Sequence, residues 1–146
     1  MSQPTDTAHL SVADYPLAEK RPELIRTATG KSIEALTLPA VEAGDVTMAD
    51  LRITATALRH QAAIARDAGR ATLGRNFERA AELVDVPQDV LLRIYDLLRP
   101  GRAKSKTALL EAAELLRRDY GAAIMADFIT EAATVYEQRG LFTYRF

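Results

Sequence analysis

Residues 71–84 read ATLGRNFERAAELV, and this stretch decides the fold because its apolar and charged residues separate at helical spacing. One side of the predicted helix is apolar or small and consists of Leu73, Phe77, Ala80, Ala81 and Val84. The other side is charged and consists of Arg75, Glu78, Arg79 and Glu82. A helix of this kind buries one face and leaves the other to solvent or to a partner. We therefore expect Phe77 to be a core residue.

The residues before this helix also carry helical signals. Thr54 is a suitable N-cap for a helix that begins at Ala55 and ends near Gly69, and its narrow, alanine-rich stripe permits another helix to approach closely. The motif TMAD at residues 47–50 places an acid three positions after a hydroxyl, which is the pattern of a capping box. We expect a short helical turn there.

Three more helices are predicted after this stretch. Pro87 suits the first position of a third main helix, which the Pro-Gly pair at residues 100–101 ends. The apolar stripe of this helix comprises Leu91, Ile94, Tyr95 and Leu98. Ser105 caps a fourth helix, and a fifth carries an apolar stripe up to Gly140. The spacing leaves open whether Tyr120 and Gly121 separate the last two helices or kink one long helix.

The segment before the helices is rich in proline and glycine. Between residues 14 and 46, three prolines and two glycines prevent a long helix, because each proline lacks a hydrogen-bond donor and restricts the residue before it. The segment also holds large apolar residues, namely Tyr15, Leu17, Leu24, Ile25, Ile33, Leu36, Leu38 and Val41. We expect these side chains to dock on another surface, because so much apolar area is unfavourable in water.

The sequence thus predicts an all-α fold: a small bundle of about four to five helices with an extended, proline-punctuated N-terminal arm. Residues 1–13 are expected to form a flexible N-terminal end, because their composition is polar. Residues 14–146 are expected to form a single helical domain. Within it, residues 14–46 are the extended docking arm and residues 47–140 are the helical part.

The composition argues against several classes of function. A net charge of -1 gives no bulk electrostatic basis for binding nucleic acid or an anionic membrane. The absence of cysteine removes disulfides, thiolate nucleophiles and cysteine zinc sites, and it fits residence in the cytoplasm. No stretch reaches the ~20 apolar residues of a membrane span. Phosphate-binding glycine loops, dinucleotide motifs and EF-hand loops are absent from the sequence.

Few residues have the neighbours that catalysis needs. The two histidines are His9, in the predicted flexible end, and His60, which has no metal-ligating side chain three or four positions away. We therefore expect no catalytic, cofactor-binding or metal-binding residue in this chain. The basic stretch RPGRAKSK at residues 99–106 lacks aromatic residues for base stacking, which is typical of a solvated loop.

The sequence does suggest residues that bind a partner. Tyr15 and Leu17 flank Pro16 in a segment without helical periodicity, and the proline lowers the entropy cost of docking. Arg75 and Arg79 lie on the charged face of the helix at residues 71–84. The predicted partner-binding residues are therefore Tyr15, Pro16, Leu17, Arg75 and Arg79. The last six residues, LFTYRF, are more apolar than a solvated tail and are also expected to dock.

Several segments in the same order resemble the small, gamma subunit of the adenosylcobalamin-dependent diol and glycerol dehydratases. The resemblance covers about residues 14–140. It is carried by DYPLAEKRPELI (14–25), TATGKSIEALTL (27–38), DLRITATALRHQAAIARDAGR (50–70), RNFERAAELVDVP (75–87), IYDLLRP (94–100) and ITEAATVYEQRG (129–140). The pairings DYPL, RNFERAAEL and LRP are unusual, which makes the resemblance specific.

The resemblance implies an assembly. In that family a large subunit with a (β/α)8 barrel holds the substrate and a metal ion, a medium subunit helps to hold the cobalamin, and the small subunit packs on the large one. Two such heterotrimers pair. The implied reaction is radical dehydration of propane-1,2-diol or glycerol to the corresponding aldehyde and water. The implied cofactor, adenosylcobalamin, is bound by the complex and not by this chain, so no residue here inherits a catalytic role.

Two matters stay open at this point. The alternative to a dehydratase subunit is a free-standing helical adaptor that descends from such a subunit and serves another partner. The implied location is the cytoplasm, with a bacterial microcompartment as the second option. Some diol dehydratases that reside in bacterial microcompartments carry a longer N-terminal extension on this subunit, whereas 13 residues precede DYPL here.

Overall fold

The computed structural model describes residues 9–142. This part of the chain contains the α-helices α1 (Leu17–Lys20), α2 (Leu38–Glu42), α3 (Met48–Leu51), α4 (Ala55–Asp67), α5 (Ala71–Leu83), α6 (Gln88–Leu98), α7 (Lys106–Tyr120) and α8 (Ala123–Gln138). Short 3₁₀ helices lie at Val12–Asp14, Pro22–Leu24 and Ile33–Ala35. No strand occurs within residues 9–142, where Arg26 and Ser32 form an isolated antiparallel bridge. The predicted all-α fold is confirmed.

The described residues divide into two compact units, with the boundary between Ala81 and Glu82, inside α5. The prediction of one helical domain over residues 14–146 stays a prediction. None of the helices in the described part of the chain has both the length and the hydropathy to cross a membrane.

In the first unit, α4 and α5 approach closely because small residues meet. Ala62 of α4 and Gly74 of α5 are buried, and a Cβ added to Gly74 would lie 3.1 Å from the Ala62 carbonyl oxygen. The close approach predicted for the alanine-rich stripe of α4 is confirmed. Phe77 is only partly buried, so the expectation that it is a core residue is not confirmed.

The extended arm predicted for residues 14–46 is not confirmed, because this segment folds into short helices. The three prolines stand where helices begin: Pro16 is the N-cap of α1, Pro22 is the first residue of a 3₁₀ helix, and Pro39 is the second residue of α2. At those positions a missing N–H donor costs nothing, and the fixed φ of proline suits the helix. The prolines therefore start short helices and do not keep the chain extended.

The folded part also begins earlier than predicted. Leu10 is buried, and the Ser11 side chain caps the 3₁₀ helix Val12–Asp14. The Val12 N–H donates to Asp67 Oδ2 at 2.8 Å, which ties this helix to the end of α4. Residues 10–13 thus belong to the first unit, and the rest of the predicted flexible end, residues 1–8, lies outside the described residues.

The second unit consists of the end of α5 and helices α6, α7 and α8. The largest of its completely buried side chains are Leu109, Leu116 and Ile129. The question about residues 120–121 is answered by Gly121, whose φ of 62° lies in the left-handed region and ends α7. The fourth and fifth predicted helices are therefore separate.

Hydrogen bonds to α5 and α6 fasten both ends of α8. The Glu82 carboxylate accepts the N–H groups of Ile124 at 3.0 Å and Met125 at 2.8 Å, which satisfies donors that the first turn leaves free. Near the other end, the Tyr136 hydroxyl donates to the Leu98 carbonyl oxygen. The Tyr136 ring also meets Phe142, with 6.3 Å between ring centres. The remainder of the LFTYRF stretch, residues 143–146, lies outside the described residues.

Candidate functional site

The three predicted partner-binding residues near the N-terminus differ in exposure. Tyr15 follows the 3₁₀ helix and is 59% exposed, so it is available to a partner. Pro16 is half-buried at the start of α1. Leu17 is 5% exposed and packs with Leu10 and Ile64 in a small core of the first unit. Because its side chain is buried within the chain itself, the expectation that Leu17 faces a partner is wrong.

The two predicted arginines lie one turn apart on α5. Arg75 is exposed, whereas Arg79 is partly exposed and donates to the Asn76 side-chain oxygen. Between them, Glu78 accepts two hydrogen bonds from Arg66, at 2.9 Å from Nε and 2.6 Å from Nη2. These bonds hold the pKa of Glu78 below its ordinary value, and they join α4 to α5. This face of α5 combines an internal ion pair with an exposed guanidinium at Arg75.

A buried carboxylate, Asp50, fastens α3 to the loop that begins at Thr27. Its side chain is inaccessible to solvent, and its oxygens accept hydrogen bonds from the hydroxyls of Thr27, at 3.0 Å, and Thr29. Lys31 Nζ lies 3.1 Å from both oxygens. The Thr47 N–H donates to Oδ2 at 3.0 Å and completes a capping box. The capping box predicted at TMAD is confirmed, and its acid also binds a distant loop.

These hydrogen bonds determine the charge state of Asp50. The Thr29 hydroxyl and then the Thr47 N–H hold its pKa well below the ordinary value, and Lys31 lowers the pKa further. The carboxylate is therefore ionised at neutral pH, and its oxygens are already occupied. We assign Asp50 a structural role, because a carboxylate so engaged is a poor proton acceptor.

His60 lies beside a groove of about 340 Å³ in the first unit, whose lining includes Leu24, Arg26, Thr54 and Thr56. Burial, and then the charge of Arg21, lower the pKa of His60, so the imidazole is neutral at pH 7. Among residues 9–142, His, Asp and Glu side chains nowhere gather in a group of three that could hold a metal ion. A corrinoid is far larger than the ligands that grooves of this size surround, so these residues do not fit adenosylcobalamin.

The basic stretch at residues 99–106 is largely engaged with nearby acids. Arg99 Nη1 and Arg102 Nε lie 3.6 and 3.8 Å from Asp96 Oδ1. Lys106 Nζ lies 2.6 Å from Glu137 Oε2, which joins the start of α7 to the end of α8. These surface ion pairs contribute little stability, but they reduce the positive charge that the loop presents to an anionic ligand.

A different surface of the first unit is apolar and uncovered. We refer to residues 38–53, which include α2 and α3, as the α2–α3 segment. Its exposed apolar side chains are Leu38, Val41, Met48, Leu51 and Ile53. The sequence pattern singled out Leu38 and Val41 among side chains that need a docking surface, and it missed the other three. The sequence feature that could have identified those three is the same as for Leu38 and Val41. Large apolar residues in very short helices cannot all be buried by the segment itself.

Comparison with known proteins gives a consistent result. Residues 10–143 match the model of a protein family described as dehydratase small subunit. The chain is 52% identical over 128 residues to the propanediol dehydratase small subunit of Salmonella typhimurium, covering 88% of this chain and 73% of that protein. It is 49% identical over 136 residues to the propanediol dehydratase small subunit of Citrobacter freundii, covering 92% of this chain and 78% of that protein.

Proposed function

Since the chain belongs to the dehydratase small-subunit family, we propose that it is the small, non-catalytic subunit of a propanediol dehydratase complex. The observation that carries this proposal is the identity of about half of all aligned residues with two proteins that bear that name. Because the matches cover most of the described fold, they support the same role for both compact units. The exposed apolar α2–α3 segment further supports a subunit, since such a surface is unfavourable in a protein that works alone.

The proposed reaction is the conversion of propane-1,2-diol or glycerol to the corresponding aldehyde and water. We propose that the complex uses adenosylcobalamin, which supplies radical chemistry, and that the other subunits bind it. Two features of this chain support a non-catalytic role. Asp50 is fully engaged in hydrogen bonds, and the groove beside His60 does not suit the cofactor.

The proposed partners are a large and a medium dehydratase subunit, in an assembly of two heterotrimers. Tyr15, Pro16, Arg75 and Arg79 remain proposed contact residues, whereas Leu17 acts inside the chain. Location in the cytoplasm, free or within a bacterial microcompartment, belongs to the same proposal. The absence of cysteine is compatible with it.

Reconstitution tests this proposal. The large and medium subunits from the same source are expressed with and without this chain, and diol-dependent aldehyde formation is measured with added adenosylcobalamin. We expect the chain to co-elute with the other subunits, to increase the yield of soluble complex, and to show no turnover alone. Equal yield and activity without the chain, together with separate elution, would contradict the proposal and favour the adaptor function.

A further inference from the structure

The α2–α3 segment is more exposed than its composition would lead one to expect. Of its sixteen residues, only Val46 and Asp50 are buried and Ala40 is intermediate, and the other thirteen are exposed. Leu38 is 70% exposed and Met48 is 76% exposed. The helix α2 buries none of its residues, although its sequence is LPAVE. The segment therefore presents apolar side chains outward and does not use them for its own packing.

The backbone of this segment is nevertheless held in place. The Thr37 side chain caps α2 at the Ala40 N–H, and the Val46 N–H returns to the Ala40 carbonyl oxygen at 3.1 Å, which folds the following turn back against α2. The buried Asp50 anchors α3 through its capping box and through Lys31. A surface organised in this way loses little conformational freedom when a partner covers it.

The exposed area is large enough to matter for assembly. The five apolar residues of the segment together expose on the order of 500 Å², whereas a stable interface buries about 800 Å² on each partner. The segment and its rim therefore provide most of one interface. Leu38 and Val41 lie three positions apart on α2, and Met48 and Leu51 lie three positions apart on α3, so each pair shares one side of its helix.

The charges around the segment indicate what covers it. Within the segment Glu42 and Asp45 are exposed acids and Arg52 is the single cation. Glu34, just before the segment, is also exposed, but the charge of Arg26 acts on it and we do not count it in the rim. Asp50 adds no free charge, because Lys31 neutralises it. A second copy of this chain would bring the same acidic rim against this one, and like charges disfavour such a pair. The complementary partner has an apolar surface with a cationic rim.

We infer that the α2–α3 segment is the surface on which the large dehydratase subunit docks, through an apolar patch bordered by lysine or arginine side chains. This inference rests on the proposed function and specifies where the chain binds. It adds a surface separate in sequence from Tyr15 and Arg75.

The test compares two matched double variants in binding of the full chain to the large and medium subunits. L38Q with M48Q removes exposed apolar groups from the segment, and L92Q with Y95Q removes two similarly exposed groups from α6. We expect the first pair to weaken binding by roughly 30- to 300-fold and the second by less than about threefold. Melting temperatures of the isolated chains check that each variant folds.

A second pair of variants tests the charged rim. E42K with D45K reverses two exposed charges of the segment, and E111K with E114K reverses two exposed charges of α7 as the control. We expect only the first pair to reduce the association rate, by roughly tenfold at low salt, with the difference shrinking as salt is added. This pair tests the inference even if the glutamine variants fold poorly.

The outcomes separate the two proposals. If the wild-type chain fails to bind the other subunits, the proposed function and this inference both fail. If wild type binds and the segment variants bind equally well, only the assignment of the surface is overturned. The same holds if the segment variants and their control variants lose the same amount of binding. Sedimentation of the isolated chain tests the remaining case, in which a second copy covers the segment. That case would be shown by a wild-type dimer that dissociates in the L38Q with M48Q variant while binding to the large subunit is unchanged, and it would overturn the inference.

Discussion

Replacing Gly74 with alanine should destabilise the first compact unit, although alanine is the better helix former. The new Cβ would lie 2.8 Å from Cγ of Arg66 and 3.1 Å from the carbonyl oxygen of Ala62. Carbon atoms in contact prefer about 3.5–4.0 Å, so the Arg66 side chain must move by about 1 Å. That movement is opposed because both donating nitrogens of Arg66 are bound to Glu78.

Two opposing energies set the magnitude. Alanine gains about 1 kcal/mol over glycine within a helix, whereas overpacking a close contact costs about 1–3 kcal/mol. Because the new Cβ would lie only 2.8 Å from Arg66 Cγ, the cost falls in the upper part of that range, about 2–3 kcal/mol. We therefore expect a net loss of about 1–2 kcal/mol, which lowers the melting temperature by roughly 3–8 °C in a chain of this size. Thermal melting followed by circular dichroism, with urea unfolding as a second measurement, gives this difference.

The control is the same change in a background that lacks the obstructing atom. In R66A the Cγ is gone, so G74A should be neutral or slightly stabilising there, and the two changes should not be additive. If G74A raises the melting temperature in the otherwise wild-type chain, the close approach of α4 and α5 is refuted. Equal destabilisation in both backgrounds would place the obstruction at the Ala62 carbonyl oxygen and would refute the role given to Arg66.

Three further predictions concern residues whose roles the structure defines. Leu17→Ala should lower the free energy of unfolding by about 2–4 kcal/mol, whereas Tyr15→Ala should leave melting unchanged and act only on subunit binding. Comparable melting losses in both variants would show that the exposed ring is part of the core. Because the pKa of Asp50 is lower in the folded state than its ordinary 3.8, its contribution to stability is complete above that pH and is lost as the pH falls below it. Asp50→Asn should therefore be less stable than wild type at pH 7 and should lose less stability on acidification. Melting temperatures of the two proteins that fall by equal amounts between pH 7 and 3 would contradict this. Glu82→Ala should lower stability by about 0.5–2 kcal/mol through loss of the α8 cap, with Glu82→Gln closer to wild type, as urea unfolding can measure.

The features that the sequence predicted correctly are those decided by neighbouring residues. Thr54 and Ser105 each cap the predicted helix by accepting an N–H three positions later, at 3.1 and 3.2 Å. The Thr47 capping box formed at the predicted residues for the same reason. A cap is a hydrogen bond within one turn, so the local sequence contains both partners.

The features that the sequence did not predict depend on distant contacts. Asp50 has a local role as a cap, but its burial depends on Lys31, which lies nineteen residues away. Tyr95 was placed on the buried stripe of α6, yet its side chain is mostly exposed, because periodicity gives the direction of a stripe and not its width. On α5 the buried residues are Gly74 and Ala81, whereas Phe77 is only partly buried, and Gly74 lies where Arg66 and the Ala62 carbonyl oxygen leave no room for a larger side chain.

Among the described residues, the largest completely buried side chains lie in the second unit and the two most exposed large apolar side chains lie in the first, and this distribution connects the fold to the proposed role. In the second unit, Leu109, Leu116 and Ile129 are completely shielded from solvent by the chain itself. In the first unit, Leu38 and Met48 remain exposed, while caps and ion pairs fix the backbone that carries them. A partner that covers such a surface stabilises the folded state by mass action, at a small cost in conformational entropy. Leu38 and Met48 are therefore side chains through which the proposed large subunit would stabilise the first unit.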